Sequence, residues 1–484
     1  MTTTNKEAEA ALTKGNNAGE NKDFDSAIIY FTKAIKLDPK HAGAYYNRGY
    51  TYSKLKKYPE AIADYTKAIK LDSADAAAYY NRGNAYSNLE KYPEAIADLT
   101  KAIKLDPKHA GAYFSRGITY RKLEKYPEAI ADLTKAIKLD PKHAGAYFSR
   151  GLAYGKLKKY PEAIADYTKA IELDPEYAAA YNNRGNEYDA LKKYEEALAD
   201  YTKAIELDSK YKFAYNNRGI TYCKLEKYPE AIADYTKAIE LDPKDVSAYF
   251  NRGVAYDALK EDEEAIADYT KAIELDPKLA VAYYNRGSAY HELWKYEEAL
   301  ADYTKAIELD PEYVNAYFMR GFAYLNLKKY EEALADYTKA IELDPEYAAA
   351  YYSRGNVYNN PLKKYPEALA DYTRAIELDP EYAAAYFKRG VAYNALKKYE
   401  EALADYTRAI ELDPKYAEAY FKRGLAYKAL KKYEEALADY TKAIELDPKY
   451  AEAYCNRGLA YKALGKTKEA NADFAKVIAL GDVS

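Results

Sequence analysis

A repeat of 34 residues runs along almost the whole chain. A glycine preceded by a basic residue recurs at Gly15, Gly49, Gly83 and onward to Gly355 in steps of 34 residues. One step of 35 residues leads to Gly390, after which the 34-residue spacing resumes, so the chain carries fourteen copies. A period of this length is typical of a solenoid, in which each copy contacts its neighbours. We therefore expect a long repeated surface and no central active-site cavity.

Each copy has the pattern of two helices. In the copy that begins near residue 42, Tyr45, Gly49 and Tyr52 follow the i, i+4, i+7 spacing of one helical face. Pro59 suits the first turn of a second helix, where its missing N–H costs no hydrogen bond. Asp106-Pro107 is typical of the pairs that end the second helix, because a residue before proline is disfavoured in the α region. The pattern predicts two antiparallel helices of about 12–14 residues per copy.

The repeat resembles the tetratricopeptide repeat signature. The positions that carry the resemblance are Tyr45, Gly49, Tyr52, Ala61, Tyr65, Ala68 and the trailing proline, as at Pro107. The resemblance covers residues 10–484, with residues 1–9 as an N-terminal tail and one inserted residue near position 360. It implies a single all-α array, a right-handed superhelical α-solenoid of tandem antiparallel helix pairs. Family members are mostly protein–protein interaction scaffolds and not enzymes.

The composition sets the expected compartment and excludes several function classes. Two cysteines, Cys223 and Cys455, lie nearly seven copies apart, which predicts reduced thiols in the cytoplasm. No apolar run suits a signal peptide or a membrane span. We expect neither a cofactor nor a nucleic-acid partner, because phosphate loops and basic grooves are absent. His109 and His143 occupy equivalent turns, but no acidic or cysteine ligand accompanies them, so we expect no metal.

Charge is distributed unevenly along the chain. Residues 1–150 carry 25 Lys/Arg against 18 Asp/Glu, a net charge of +7, and the remainder carries 48 against 59, a net charge of −11. One interpretation is two sets of solvated helix faces. The other is a basic head that meets the acidic body of another copy, which would make the protein a structural spacer or a head-to-tail self-assembling protein.

One polar pair recurs inside nearly every copy. Arg48 and Asp64 lie sixteen residues apart, and antiparallel pairing of the two helices would bring them together. The first copy has Lys14 and Tyr30 at these two positions, so both members change in the same copy. This favours an ion pair within the copy. A row of ligand-binding arginines is the alternative.

The resemblance also implies a peptide-binding groove, lined by residues one, five and eight positions beyond Tyr45 in each copy. The first of these positions forms an aromatic row with polar neighbours, which suits an extended peptide because rings hold apolar side chains while amides bind backbone. Packing of these rings between adjacent first helices is the alternative. The predicted groove residues are Tyr46, Asn47, Tyr80, Asn81, Phe114, Phe148, Asn183, Asn217, Phe250, Tyr284, Phe318, Tyr352, Phe387, Lys388, Phe421 and Lys422. The predicted function is therefore a scaffold that binds a protein or peptide segment.

Three irregularities interrupt the pattern inside the array. Asp262 replaces the tyrosine that begins the second helix elsewhere, Trp294 lies in a turn, and Pro361 should end or bend a first helix. Each is interpreted as drift in a tolerant loop, with Trp294 as an exposed binding residue in the alternative. At the C-terminal end, no further helix covers the last one, which leaves its apolar residues as a candidate docking surface.

Overall fold

The computed structural model describes residues 3–481, and regular structure in this part of the chain is entirely helical. Within residues 3–481 there are 28 helices, arranged as fourteen antiparallel pairs. The predicted all-α solenoid of tandem helix pairs is confirmed. Odd-numbered helices are the first members of the pairs and even-numbered helices the second.

The helices are α1 (Thr3–Glu20), α2 (Phe24–Leu37), α3 (Ala42–Lys54), α4 (Tyr58–Leu71), α5 (Ala76–Asn88), α6 (Tyr92–Leu105), α7 (Ala110–Lys122), α8 (Tyr126–Leu139), α9 (Ala144–Lys156), α10 (Tyr160–Leu173), α11 (Ala178–Ala190), α12 (Tyr194–Leu207), α13 (Lys212–Lys224), α14 (Tyr228–Leu241), α15 (Val246–Ala258), α16 (Asp262–Leu275), α17 (Ala280–Glu292), α18 (Tyr296–Leu309), α19 (Val314–Asn326), α20 (Tyr330–Leu343), α21 (Ala348–Asn359), α22 (Tyr365–Leu378), α23 (Ala383–Ala395), α24 (Tyr399–Leu412), α25 (Ala417–Ala429), α26 (Tyr433–Leu446), α27 (Ala451–Ala463) and α28 (Thr467–Ala479).

The chain divides into two compact units. The boundary lies between Ala248 and Tyr249, inside α15. In the first unit, each helix from α1 to α13 contacts the next one in the chain. In the second unit, the helices from α16 to α28 do the same. First helices of successive pairs also contact one another, as α1 does α3 and α23 does α25. The prediction of one continuous array over residues 10–484 stays a prediction.

The local signals that predicted the helices mark their ends. α4 begins at Tyr58 with Pro59 in its first turn, and α3 and α4 are joined through Lys56, which has a left-handed φ of 58°. α4 ends at Leu71, where the backbone N–H of Asp72 donates to the carbonyl oxygen of Ala68 at 2.8 Å. α21 ends at Asn359 and has 12 residues instead of the usual 13, because Pro361 follows.

The two helices of a pair meet at a glycine and a large aromatic residue. A Cβ atom built on Gly49 would lie 3.2 Å from both the carbonyl oxygen of Ala61 and Cδ1 of Tyr65. At Gly151 the corresponding distance to Cε1 of Tyr167 is 2.7 Å, which a real side chain could not adopt without displacing the ring. The Tyr65 ring is fully buried. Because glycine has no side chain, the tyrosine ring of the second helix has room to pack against the first helix of the same pair.

The last helix leaves part of its apolar face uncovered. On α28, Phe474 and Val477 are half-buried, whereas Ile478 is 80% exposed. None of the helices in residues 3–481 has the length and apolar character needed to cross a lipid bilayer.

Candidate protein-binding surface

The predicted arginine–aspartate pair is confirmed, and it has a third member. Arg48 donates from Nε and Nη2 to the two carboxylate oxygens of Asp64, both at 2.7 Å. Its Nη1 donates to the hydroxyl of Thr32 at 3.0 Å. Thr32 belongs to α2, the second helix of the preceding copy, so one guanidinium joins two copies. The bond to Asp64 raises the pKa of Arg48, which stays charged.

The same three-residue arrangement, here called the Arg–Asp–Thr ladder, recurs in both units. Its arginines are Arg48, Arg82, Arg116, Arg150, Arg184 and Arg218 in the first unit, and Arg286, Arg320, Arg354, Arg389, Arg423 and Arg457 in the second. Arg252 makes the same bidentate pair with Asp268. The arginine and aspartate side chains of the ladder are largely buried, and three donors of each ladder guanidinium are already engaged. This geometry supports the structural role over a row of ligand-binding arginines.

The predicted aromatic row lies in the joints between copies. The ring of Phe387 is 5.9 Å from that of Tyr406 in its own copy and 4.7 Å from that of Tyr416 in the next, centroid to centroid, and Phe387 is 1% exposed. No ring of the predicted row is exposed. Ring contacts to the next copy are also made by Tyr80, Phe114, Phe148, Tyr284, Phe318, Tyr352 and Phe421. Tyr46 and Phe250 contact a tyrosine ring of their own copy. The row therefore contributes to the stacking of the copies.

The polar neighbours of the row bind mainly to the chain itself. Asn81 donates from Nδ2 to the hydroxyl of Tyr46 at 2.9 Å, which links two copies. Asn183 donates to the carbonyl oxygen of Ala179 in its own helix at 2.7 Å. Asn47 donates to Asn16 and Asn217 to Asn182 and Asn186, while Lys388 and Lys422 each lie 5.6 Å from the ring centroid of the preceding phenylalanine. A side-chain amide has further donor and acceptor capacity after one such bond.

A second row, four residues beyond the aromatic row, is the more exposed one. Tyr50 and Leu459 are each 44% exposed, Phe322 is 40% exposed and Val254 is 37% exposed. We call this position the outer row; its members are Tyr50, Asn84, Ile118, Leu152, Asn186, Ile220, Val254, Ser288, Phe322, Asn356, Val391, Leu425 and Leu459. Apolar side chains at a solvent-facing position of the first helix were missed as candidates, although the position is one of the three that the resemblance gives.

A cavity lies beside the first members of both rows. It has a volume of 370 Å³ and is lined by Asn16, Asn47, Tyr50 and the ring of Phe31. Asn47 donates to Asn16 at 2.9 Å across this cavity wall. Two amides and a half-exposed ring thus converge at the N-terminal end of the outer row.

The histidines of the inter-copy turns have structural partners. Nδ1 of His109 accepts a hydrogen bond from the backbone N–H of Ala112 at 3.1 Å, so this side chain caps the start of α7. The rings of His109 and Tyr80 are 4.6 Å apart. His143 caps α9 in the same way and packs against Phe114. Within residues 3–481, no group of three or more His, Cys, Asp or Glu side chains is arranged to hold a metal ion.

Models of one repeat family match the chain from end to end. A model described as tetratricopeptide repeat matches residues 42–75, 76–109, 144–177, 178–211, 246–279, 280–313 and 314–347. Two further models of that description match residues 99–131, 200–233 and 336–370, and residues 8–41 and 451–480. A model described as TPR repeat matches residues 119–158, 221–260, 362–397, 392–431 and 426–465. The chain belongs to the tetratricopeptide repeat family.

Solved structures also resemble parts or all of this tetratricopeptide repeat chain, whereas no curated protein matches it. YrrB, described as a TPR protein with an unusual peptide-binding site, is 32% identical over 38% of this chain and 95% of its own, with a TM-score of 0.35. A tetratricopeptide repeat protein from Parabacteroides merdae is 22% identical over 53% of this chain and 98% of its own, with a TM-score of 0.41. Yeast Tom70 is 19% identical over 99% of this chain and 97% of its own, with a TM-score of 0.37.

Membership of the tetratricopeptide repeat family indicates the general class of function. Proteins of this family are typically scaffolds for protein interactions and not catalysts. The fold described above supports that general role, because the same first-helix surface recurs from copy to copy within each unit.

Proposed function

We propose that the first-helix surface of this protein binds an extended segment of a protein partner. The observation that carries the proposal is the outer row, which offers an apolar, solvent-accessible side chain in most copies, with Tyr50, Val254, Phe322 and Leu459 the most exposed. Partly exposed apolar side chains at regular intervals suit a ligand that presents side chains at the same interval.

The spacing of the copies indicates what the ligand backbone would be. Packed helices lie about 8–10 Å apart, which sets the distance between neighbouring outer-row residues of one unit. A polyproline II segment advances about 9 Å per turn of three residues, so every third side chain returns to the same face. We therefore propose a partner segment with an apolar residue at every third position. The near-identity of the copies favours such a repetitive ligand over one with many distinct pockets.

The test removes the most exposed outer-row side chains while leaving the packed aromatic row intact. A variant with Tyr50→Ser, Val254→Ser and Leu459→Ser is used in a pull-down from the native cell. A matched control carries Ile29→Ser, Leu157→Ser and Leu396→Ser, whose side chains are 66%, 38% and 38% exposed outside the outer row. Loss of partner capture in the first variant alone supports the proposal, and equal capture by both variants overturns it.

Self-assembly is the second candidate function. It is favoured by the opposite net charges of residues 1–150 and the remainder, and by Ile478, which is 80% exposed on the last helix. Sedimentation over a range of protein concentrations tests it. Growth in mass that salt weakens would favour a head-to-tail assembly. A constant monomer mass would reject it.

A further inference from the structure

One surface position in the first unit contains a complete ion pair between neighbouring copies. Asp189 lies near the end of α11, and Tyr194 begins α12 of the same copy. Lys224, at the end of α13 in the next copy, donates from Nζ to the Asp189 carboxylate. The same Nζ lies 6.0 Å from the centroid of the Tyr194 ring. A lysine, a carboxylate and an aromatic ring thus satisfy one another at this position.

The equivalent position two copies later lies in the second unit and has a glutamate where the first unit has Lys224. Asp257, Asp262 and Glu292 occupy the places of Asp189, Tyr194 and Lys224, each 68 residues further along the chain. The carboxylate at the first place is kept, while the ring and the lysine are both replaced by acids. Two changes in different copies therefore convert a satisfied ion pair into a group of three carboxylates, here called the carboxylate cluster.

The most buried member of the carboxylate cluster lacks a hydrogen-bond partner. Asp262 is 8% exposed, and its Oδ1 is buried without any partner. Burial raises the pKa of Asp257, and the carboxylates of Asp262 and Glu292 raise it further. Lys260, in the turn before α16, lowers the pKa of both aspartates. This turn lysine recurs at the same place in other copies, as at Lys192 beside Asp189, and so does not replace the missing Lys224 equivalent.

An exposed indole ring follows the last member of the carboxylate cluster by two residues. Trp294 follows Glu292 by two residues, in a turn with a left-handed φ of 62°, and is 78% exposed. Its ring centroid is 6.3 Å from that of Tyr296, which fixes one edge of the indole. Twelve of the other copies have lysine or glutamate at this turn position and the last has Gly465, so the tryptophan replaces a residue that is usually charged. An exposed tryptophan two residues from Glu292 provides both an apolar face and a cation–π surface.

We propose that Asp257, Asp262, Glu292 and Trp294 bind a lysine or arginine side chain of a partner protein. The ammonium or guanidinium group would occupy the place that Lys224 fills in the first unit, and its aliphatic stem would pack on the indole. An organic cation fits better than a metal ion, because within residues 3–481 no three acidic, histidine or cysteine side chains are arranged to hold one. The inference goes beyond the proposed function, because none of these four residues belongs to the outer row.

The test uses Trp294, the only tryptophan of the chain, as an intrinsic fluorescence probe. The full-length protein is titrated with a capped hexapeptide of alternating lysine and leucine, and separately with the same peptide carrying glutamine in place of lysine. We expect a saturable change in emission with the lysine peptide that raised salt weakens, and an affinity for the glutamine peptide that is lower by about tenfold or more. Equal affinities for the two peptides would overturn the proposal.

Glu292→Lys provides the decisive variant, because it rebuilds the ion pair already present at Lys224. It keeps Trp294 as the probe, and we expect it to lower the affinity for the lysine peptide by about tenfold. Unchanged affinity in this variant contradicts the proposal. Lys224→Glu is the converse control: without a neighbouring tryptophan, it should gain at most weak binding, measured by calorimetry.

Two other occupants are distinguished in the same experiment. If the peptide-free protein self-associates in sedimentation and Glu292→Lys abolishes the association, the occupant is a second copy and the assignment to another protein is wrong. If calcium or magnesium chloride alone saturates the fluorescence change and blocks the peptide, the cluster is a metal site. Either result overturns the proposal, whereas selective binding of the lysine peptide by a monomer supports it.

Discussion

The two units carry opposite charges at one pair of equivalent surface positions. In the first unit Lys224 neutralises Asp189 and lies on the Tyr194 ring. In the second unit the corresponding residues are Glu292, Asp257 and Asp262, so a glutamate stands where the first unit has Lys224. The difference shows that this position does not have to be satisfied for a copy to stack on the next. It is therefore free to take part in binding.

The Arg–Asp–Thr ladder behaves in the opposite way. Arg218 in the first unit and Arg320 in the second make the same bidentate bond, at 2.7 Å, and both reach a threonine of the preceding copy. Their aspartates, Asp234 and Asp336, are each 7% exposed at the side chain. The buried residues that join neighbouring copies are therefore the same in both units, whereas the residues at the ends of the first helices differ.

The largest predicted effect comes from breaking the ladder in either unit. Arg218→Ala and Arg320→Ala each leave a buried carboxylate unpaired, which should lower the free energy of unfolding by about 3–5 kcal/mol. Arg374→Ala is the matched control, because its pair with Glu377 is exposed and should contribute far less to stability than a buried pair. Urea unfolding measures all three variants. Similar losses at Arg320 and Arg374 would show that the ladder does not hold the copies together.

A second effect concerns Glu187, a carboxyl group at a position that most other copies fill with alanine or threonine. Burial raises the pKa of Glu187 to about 7 from an ordinary 4.5. The folded state therefore binds this proton more tightly than the unfolded state does. The resulting contribution of Glu187 to the free energy of unfolding is fully present below pH 4.5 and is lost as the pH rises through about 7.

Unfolding measured across this pH range should show a fall of about 2 kcal/mol attributable to Glu187, since partial exposure screens part of the shift. Glu187→Gln should remove that fall. If wild type and variant have parallel pH profiles, the carboxyl group is already charged in the folded protein.

A third, smaller effect separates buried tyrosines that differ in hydrogen bonding. The hydroxyl of Tyr201 donates to Oδ1 of Asn186 at 2.9 Å, whereas the buried hydroxyl of Tyr337 has no partner. Tyr201→Phe should lower the free energy of unfolding by about 1 kcal/mol, and Tyr337→Phe should leave it unchanged or raise it. Thermal unfolding of the two variants makes the comparison. An equal loss would mean that the Tyr337 hydroxyl is also bonded in solution.

The smallest predicted effect comes from exchanging the charges of Lys224 and Glu292, the equivalent residues of the two units. Lys224→Glu should destabilise the first unit and Glu292→Lys should stabilise the second, each by less than about 1 kcal/mol because these lysine and glutamate positions are exposed. Calorimetric melting at low and high salt measures both, and salt should reduce both differences. Changes of the same sign would contradict the equivalence of the two positions.

The local part of this structure was predictable from sequence. Pro59 and the Asp-Pro pairs mark helix ends through backbone geometry alone, and antiparallel pairing of two short helices brings Arg48 to Asp64. Thr32 was not predicted as the third partner, because its contact depends on how one copy stacks on the next. The signal was present, since Thr32 precedes Arg48 by the same sixteen residues by which Asp64 follows it.

The surface was harder to predict, for the same reason. Whether Phe387 faces a groove or a joint depends on the distance to Tyr416 in the next copy, which no single repeat encodes. From sequence alone, Asp262 and Trp294 are interpreted as unrelated sequence variation in tolerant loops, because they belong to different copies. The stacking places Glu292 close enough to Asp262 for its charge to raise the pKa of Asp262, which neither copy shows by itself.

The central claim is that the interior of each copy supplies stability while the exposed positions are free to bind. Arg48 and Tyr50 test it within one helix, since Arg48 belongs to the ladder and Tyr50, 44% exposed, to the outer row. Equilibrium unfolding of Arg48→Ala and Tyr50→Ser, measured side by side, is the most direct test. We predict a loss of about 3–5 kcal/mol for Arg48→Ala and at most about 1 kcal/mol for Tyr50→Ser. Equal losses would contradict the account.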